Sequence, residues 1–201
     1  KKSKPIEILE RPVLENCKRV LDDLEQTICT CTESSCDELQ FDWPITPGSA
    51  VLVETTRSGL RFRAKNLSEI EPLTSESSIG LSTVRVDLNL THQTIMGFGG
   101  AFTDAAGINI NGLSEQMRHK LLSSYFGPLG LQYNFGRVPI AGSDFSTRAY
   151  SYDDTTTHAD YNLSEWRLAP EDRVYKIPLI KAAMKLAAKS DVELKLFASP
   201  W

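Results

Sequence analysis

A chain of 201 residues, 41% hydrophobic and 24% charged, has apolar material for one good core or two small ones. Its formal charge of -4 offers no basic surface for nucleic acid, and no apolar run approaches the ~20 residues that span a bilayer. The opening Lys1-Lys2-Ser3-Lys4-Pro5 carries neither a Met nor an apolar signal core, as expected of a processed or cut end.

Residues 1–43 are acidic and short of long apolar runs, so they need covalent help to hold a fold. Cys17, Cys29, Cys31 and Cys36 crowd into this stretch. Three pairings are possible and the sequence alone does not choose among them. Zinc is the weaker alternative, because Cys29-Thr30-Cys31 is too tight for the usual spacer and no His lies nearby. Three sequons, at Asn66, Asn89 and Asn162, stand with the cysteines and point to an oxidising secretory route. Pro44 and Pro47-Gly48 mark a boundary.

Residues 44–92 read as strands of a β-sandwich or side sheet. Val51-Leu52-Val53-Glu54-Thr55-Thr56 precedes a Ser58-Gly59 turn and a second strand, Leu60-Arg61-Phe62-Arg63. Residues 81–90 alternate with period two, as a half-exposed antiparallel strand does. These strands are too few to close a sandwich, which predicts partners elsewhere in a longer chain.

From residue 93 the pattern becomes strand, loop, helix. Three strand-like runs cover residues 95–104, 133–145 and 194–201, with Val138-Pro139-Ile140 expected to be buried. Ser114 is the expected N-cap of a helix whose stripe is Met117, Leu121, Leu122, Tyr125 and Phe126, stopped by Gly127-Pro128. A second helix runs from Pro178 to Ala188 with Leu179, Ala183, Leu186 and Ala187 on one face and Pro178 in its first turn. Alternating strands and helices predict parallel βα units. The fold class is therefore α/β: the first three units of a (β/α)8 TIM barrel, preceded by a disulfide-containing β segment and side-domain strands.

Such barrels carry their chemistry at the carboxyl ends of their strands. Asp144 lies just past the second strand, where a carboxylate binds hydroxyls or caps a turn together with Ser143 or Ser146. Arg137 sits inside the same strand and needs a partner if buried, so it is expected to orient carboxylates. Trp201, at the third strand end, offers an apolar ring face and an N–H donor. Phe145, Tyr150, Tyr152 and Trp166 form either a pocket wall or a loop core. The glycines of Gly97-Phe98-Gly99-Gly100 suit a close-packed strand end with unusual backbone angles. They do not make a dinucleotide loop, for want of a third glycine and a capped helix behind them. His92, His119 and His158 are scattered, no Ser-His-Asp set is evident, and no metal or organic cofactor is indicated.

The motifs Gly97-Phe98-Gly99-Gly100-Ala101-Phe102-Thr103-Asp104-Ala105-Ala106, Arg137-Val138-Pro139 with Asp144-Phe145-Ser146, and Ala198-Ser199-Pro200-Trp201 resemble the lysosomal glucosylceramidases of glycoside hydrolase family 30. Glu54-Thr55-Thr56-Arg57-Ser58-Gly59 and the Cys spacing also fit, so the likeness runs from Cys17 to Trp201. It implies disulfides Cys17–Cys29 and Cys31–Cys36, contributing ~2.9 and ~2.2 kcal/mol by loop entropy. It also implies a β-sandwich built from both chain ends, a glycan on Asn162, and retaining hydrolysis of glucosylceramide by two glutamates ~5–5.5 Å apart. Both glutamates fall after residue 201 in the family pattern, so these 201 residues read as an amino-terminal portion without turnover of its own. Asp144 and Trp201 take the place of hydroxyl-binding residues, with Arg137 supporting them. Implied surroundings are the lysosome, a membrane surface with anionic lipid, and a saposin-type activator. Cys31-Thr32-Glu33-Ser34 lacks the family's glycan Asn, so glycan placement differs. Alternatives are another family 30 specificity, such as a β-1,6-glucanase or xylanase, and a catalytically dead lectin-like relative.

Overall fold

The computed structural model describes residues 18–21, 27–36, 47, 49–56, 63–67, 85–155 and 158–201. The chain divides into two units, Lys1–Thr94 and Ile95–Trp201.

In the first unit, β1 (Lys18–Leu21) and β2 (Thr27–Thr30) pair antiparallel, with Val20 opposite Ile28. The Cys31–Cys36 disulfide follows β2 directly, its Cα atoms 4.4 Å apart. The Thr32 hydroxyl accepts from the Ser35 N–H at 3.1 Å, and the Thr32 N–H donates to the Ser35 carbonyl at 2.7 Å. That turn brings the two cysteines together. Cys17, and with it the implied Cys17–Cys29 bond, lies outside the described residues.

A second antiparallel ladder joins β3 (Ala50–Glu54) to β4 (Arg63–Leu67), with Glu54 opposite Arg63 and Asn66 opposite Val51. Of the expected partner at residues 60–63, Arg63 opens β4, and residues 60–62 lie outside the described residues. The Ser58-Gly59 turn lies outside the described residues. Residues 85–90 correct an expectation, since they form no strand. The Asp87 carboxylate accepts from the Asn89 N–H at 3.0 Å and the Asp87 carbonyl from Leu90 at 3.2 Å. A side chain that satisfies its own backbone two residues on competes with a strand ladder, and here the turn prevails. Residues 81–84 are outside the described set.

The second unit is built on a parallel sheet of β5 (Gly99–Ala101), β6 (Phe135–Ile140) and β7 (Lys195–Pro200), in sequential order. Two helices, α1 (Asp104–Asn111) and α2 (Glu115–Phe126), connect β5 to β6, and α3 (Ile177–Ala187) leads to β7. The described architecture is two βα units and a third strand rather than three full units. Thr103 caps α1 by accepting the Ala106 N–H at 3.0 Å, so the glycine segment does have a capped helix behind it, contrary to expectation. Ser114 caps α2 as expected, accepting from Met117 at 3.4 Å, and Gly127 ends it.

The core lies between helices and sheet. Phe102, Leu122, Phe126, Leu179, Ala183, Leu186, Ala187 and Leu194 are buried together, with the Phe102 and Phe126 rings stacked at 5.7 Å. Every predicted inward residue of α3 is in this cluster. The helix starts earlier than expected, however. A π-helical turn, Asp172–Lys176, precedes Ile177 without a break. A proline inside a helix clashes with the carbonyl four residues back, and a widened turn relieves that clash. Pro178 therefore follows the π turn instead of opening the helix.

The first strand run is also shorter than its apolar pattern. The Asn134 amide takes the ladder's place beside it, accepting from the Phe98 N–H and donating to the Met96 carbonyl, both at 3.0 Å. Gly97, at φ +151°, leaves room for that amide, since a Cβ there would fall on the Asn134 side chain. Ile140 (42% exposed) and Phe197 (52%) correct the expectation of fully buried strands. The register pairs Phe197 with Arg137 and Ile140 with Pro200, so the two exposed side chains lie on opposite faces of the sheet.

Candidate functional site at the strand ends

Asp144 and Trp201 follow the carboxyl ends of adjacent strands β6 and β7, where Ile140 pairs with Pro200. The Trp201 Nε1–H donates to the Asp144 Oδ1 at 2.9 Å. Both residues are exposed. The Arg137 guanidinium lies 4.8 Å from the centre of the Trp201 ring, and its Nε–H donates to the Ser199 Oγ at 2.8 Å. Arg137 thus meets a hydroxyl and an indole, not the carboxylates expected of it. A planar cation against an aromatic face is attractive, and it restricts how the indole can turn. Together the three side chains present an anionic acceptor, an N–H donor and a flat apolar surface within one small area.

Behind this rim lies a buried polar cluster that spacing alone does not announce. Asp104 and Lys176 are each 1% exposed and Asp172 is 3% exposed. The Lys176 ammonium pairs with the Asp172 Oδ1 at 3.0 Å and donates to the carbonyls of Ala141 at 2.7 Å and Pro139 at 3.2 Å. An ammonium has three donors, and each finds an acceptor. Asp172 also accepts from the Tyr152 hydroxyl at 2.6 Å and the Ala169 N–H at 3.1 Å. Asp104 accepts from the Ser146 hydroxyl at 2.8 Å, the Tyr150 hydroxyl at 3.2 Å and the Ala105 N–H at 2.9 Å. Ser146, a candidate partner of Asp144 by sequence, belongs to Asp104 instead.

Burial, followed by the Asp104 charge, pushes the Tyr150 hydroxyl far above its usual range. Burial and the hydrogen bond to Asp172 push Tyr152 up to about 12. Both phenols therefore act as fixed donors at neutral pH. Tyr152 meets the Trp166 ring edge-on at 5.5 Å, while Phe145 is 85% exposed, so the aromatic segment divides between loop core and surface. At the edge of the cluster, Arg148 grips Glu171 with two hydrogen bonds, 2.7 and 2.9 Å, and lies 4.5 Å from the Tyr150 ring centre. Among the described residues no group of His, Cys, Asp or Glu is arranged to hold a metal ion.

Of the sequon residues, Asn89 and Asn162 are exposed, and Asn66 lies in β4. The Asp160 carboxylate pins the turn around Asn162 by accepting from the Ser164 hydroxyl and, at 2.7 Å, the Glu165 N–H.

A sequential parallel sheet, helix-covered on one face and with polar side chains converging past its carboxyl edge, has the arrangement of part of a (β/α) barrel. Residues 95–201 match the glycosyl hydrolase family 30 TIM-barrel domain, and the chain belongs to that family. It is 44% identical over 174 residues to putative glucosylceramidase 4 of Caenorhabditis elegans, covering 87% of this chain and 32% of that protein. To lysosomal acid glucosylceramidase of Mus musculus it is 40% identical over 177 residues, with the same two coverages. To the endo-1,6-beta-D-glucanase neg1 of Aspergillus fumigatus it is 38% identical over 110 residues, 54% of this chain and 22% of that one. The solved structure of SrfJ from Salmonella typhimurium is similar at a TM-score of 0.56 and 27% identity, covering 76% of this chain and 32% of SrfJ. The chain spans about a third of the length of the curated glucosylceramidases it matches.

Proposed function

We propose that this chain contributes the first strands, and part of the sugar subsite, of a retaining β-glucosidase that hydrolyses glucosylceramide to glucose and ceramide. The observation that carries this reading is the Trp201–Asp144 hydrogen bond across neighbouring strand ends. A carboxylate accepts from sugar hydroxyls, and an indole packs on the apolar face of a pyranose ring while offering one N–H. Arg137 holds the indole in place. The acid/base and nucleophile glutamates of a retaining enzyme belong, in this reading, to later strands of the barrel, and these 201 residues have no turnover of their own. Glucosylceramide is favoured over a β-1,6-glucan because the glucosylceramidase likeness extends over 87% of the chain and the endo-1,6-beta-D-glucanase likenesses over 54% and 65%. A lysosomal or secretory location is supported by the Cys31–Cys36 disulfide and the exposed sequons at Asn89 and Asn162. A membrane surface with anionic lipid and a saposin-type activator belong to the same proposal, resting on family likeness.

The test is Asp144→Ala in a chain carrying the whole barrel. Losing a charge-assisted bond of about 1.5–3 kcal/mol that tightens in the transition state lowers kcat/KM on glucosylceramide by roughly 10- to 150-fold. Unchanged kinetics removes Asp144 from the subsite. Faster hydrolysis of β-1,6-glucan than of glucosylceramide by the unaltered protein favours the glucanase reading.

A further inference from the structure

Asp144 is exposed, so packing does not hold its carboxylate in place; its pose depends on the turn that carries it. That turn is anchored on both sides by the buried cluster. On the near side the chain leaves β6 through Ala141, a buried non-glycine residue at φ +68°, in the left-handed region that L side chains rarely adopt. The Ala141 carbonyl receives the Lys176 ammonium at 2.7 Å, and the Gly142 N–H donates to the Tyr150 carbonyl at 3.3 Å. On the far side the Ser146 hydroxyl donates to Asp104 at 2.8 Å and accepts the Ser143 N–H at 2.9 Å, closing the turn around Asp144 and Phe145. Asp104 starts α1 and Lys176 ends the π turn before α3, so two helical elements fix the turn that follows β6.

We propose that Lys176 and Asp104 are positioning residues, which hold the two ends of the 141–146 turn and so place the Asp144 carboxylate against Trp201. They touch no substrate in this assignment. It rests on the reading of Asp144 and Trp201 as the sugar subsite, but the Trp201 indole reports the positioning without any sugar present.

The measurement is the Nε1–H resonance of Trp201 in a chain carrying the whole barrel, assigned by its loss in Trp201→Phe. Asp144→Ala gives its position when the carboxylate acceptor is gone. Ser146→Ala removes one oxygen from a half-buried site, and the folded variant's resonance is expected to move most of the way to that reference. Ser146→Thr, which keeps the hydroxyl, restores the wild-type position. Lys176→Met is expected to move it likewise, and Ser146→Ala decides the matter if that variant does not fold. Folded Ser146→Ala protein with a wild-type indole resonance overturns the proposal. Unchanged kinetics in Asp144→Ala, together with a shifted indole in Ser146→Ala, discards the sugar subsite and leaves the positioning intact.

Discussion

Replacing Lys176 with Met keeps most of the side-chain volume and removes the ammonium, leaving its three acceptors without their donor. The carbonyls of Pro139 and Ala141 lose a partner in a region closed to water, and Asp172 keeps only the Tyr152 hydroxyl and the Ala169 N–H. Breaking a buried ion pair from one side costs about 3–5 kcal/mol, because the surviving charge remains desolvated. A neutral hydrogen bond contributes only about 0.5–1.5 kcal/mol, so the charge term dominates. Converting Asp172 to Leu as well removes the stranded carboxylate. The double variant should then lose less than the two single losses added together, with a coupling of about 1–3 kcal/mol. Urea unfolding followed by Trp166 and Trp201 fluorescence, with Trp43→Phe as the common background, reads the second unit. A Lys176→Met loss below about 1 kcal/mol, or strictly additive losses, would refute the idea that this pair is sealed from solvent.

Gly99→Ala should destabilise the second unit by at least about 1–3 kcal/mol, since its Cβ would land on the Phe135 backbone and force β5 from β6. Gly100→Ala meets open space and should be neutral or stabilising by about 0.5 kcal/mol; thermal melts of the two variants make the comparison. Thr103→Ala removes the α1 cap and should cost about 1 kcal/mol by urea titration, with Thr103→Ser recovering most of it. The hydrogen bonds from Arg148 hold the Glu171 carboxyl below its ordinary value. Their stabilising contribution is therefore complete above the unfolded-state value and is lost as pH falls through the folded one. Melting temperatures measured between about pH 5 and pH 3 should fall less steeply in Glu171→Gln than in the unaltered chain. Equal slopes would argue against the Arg148–Glu171 contribution.

The helices were legible because a 3.6-residue period needs only local information. The Leu179, Ala183, Leu186, Ala187 face follows from spacing, as does the Ser114 cap with its Gly127-Pro128 stop. The same period held an unused signal. Carried backwards along that face, it meets Lys176 and Asp172, four residues apart, and charges on a buried face demand a partner. Pro178 obscured it by suggesting that the helix began there. The site was only half visible. Asp144, Trp201 and Arg137 were nameable from their places near strand ends, but the partners of Arg137 and Ser146 lie 62 and 42 residues away in sequence.

By itself the sequence determined the alternation of strand and helix, the inward faces of the helices, and the family to which residues 95–201 belong. Those features depend on residues close together in the chain or on motifs read as strings. Tertiary structure alone decided that Asn134 replaces a strand ladder and that Lys176 sits under the turn bearing Asp144. Each of these outcomes is a competition for one hydrogen-bonding group among several possible partners. Which partner wins depends on what the fold brings within about 3 Å and shields from water.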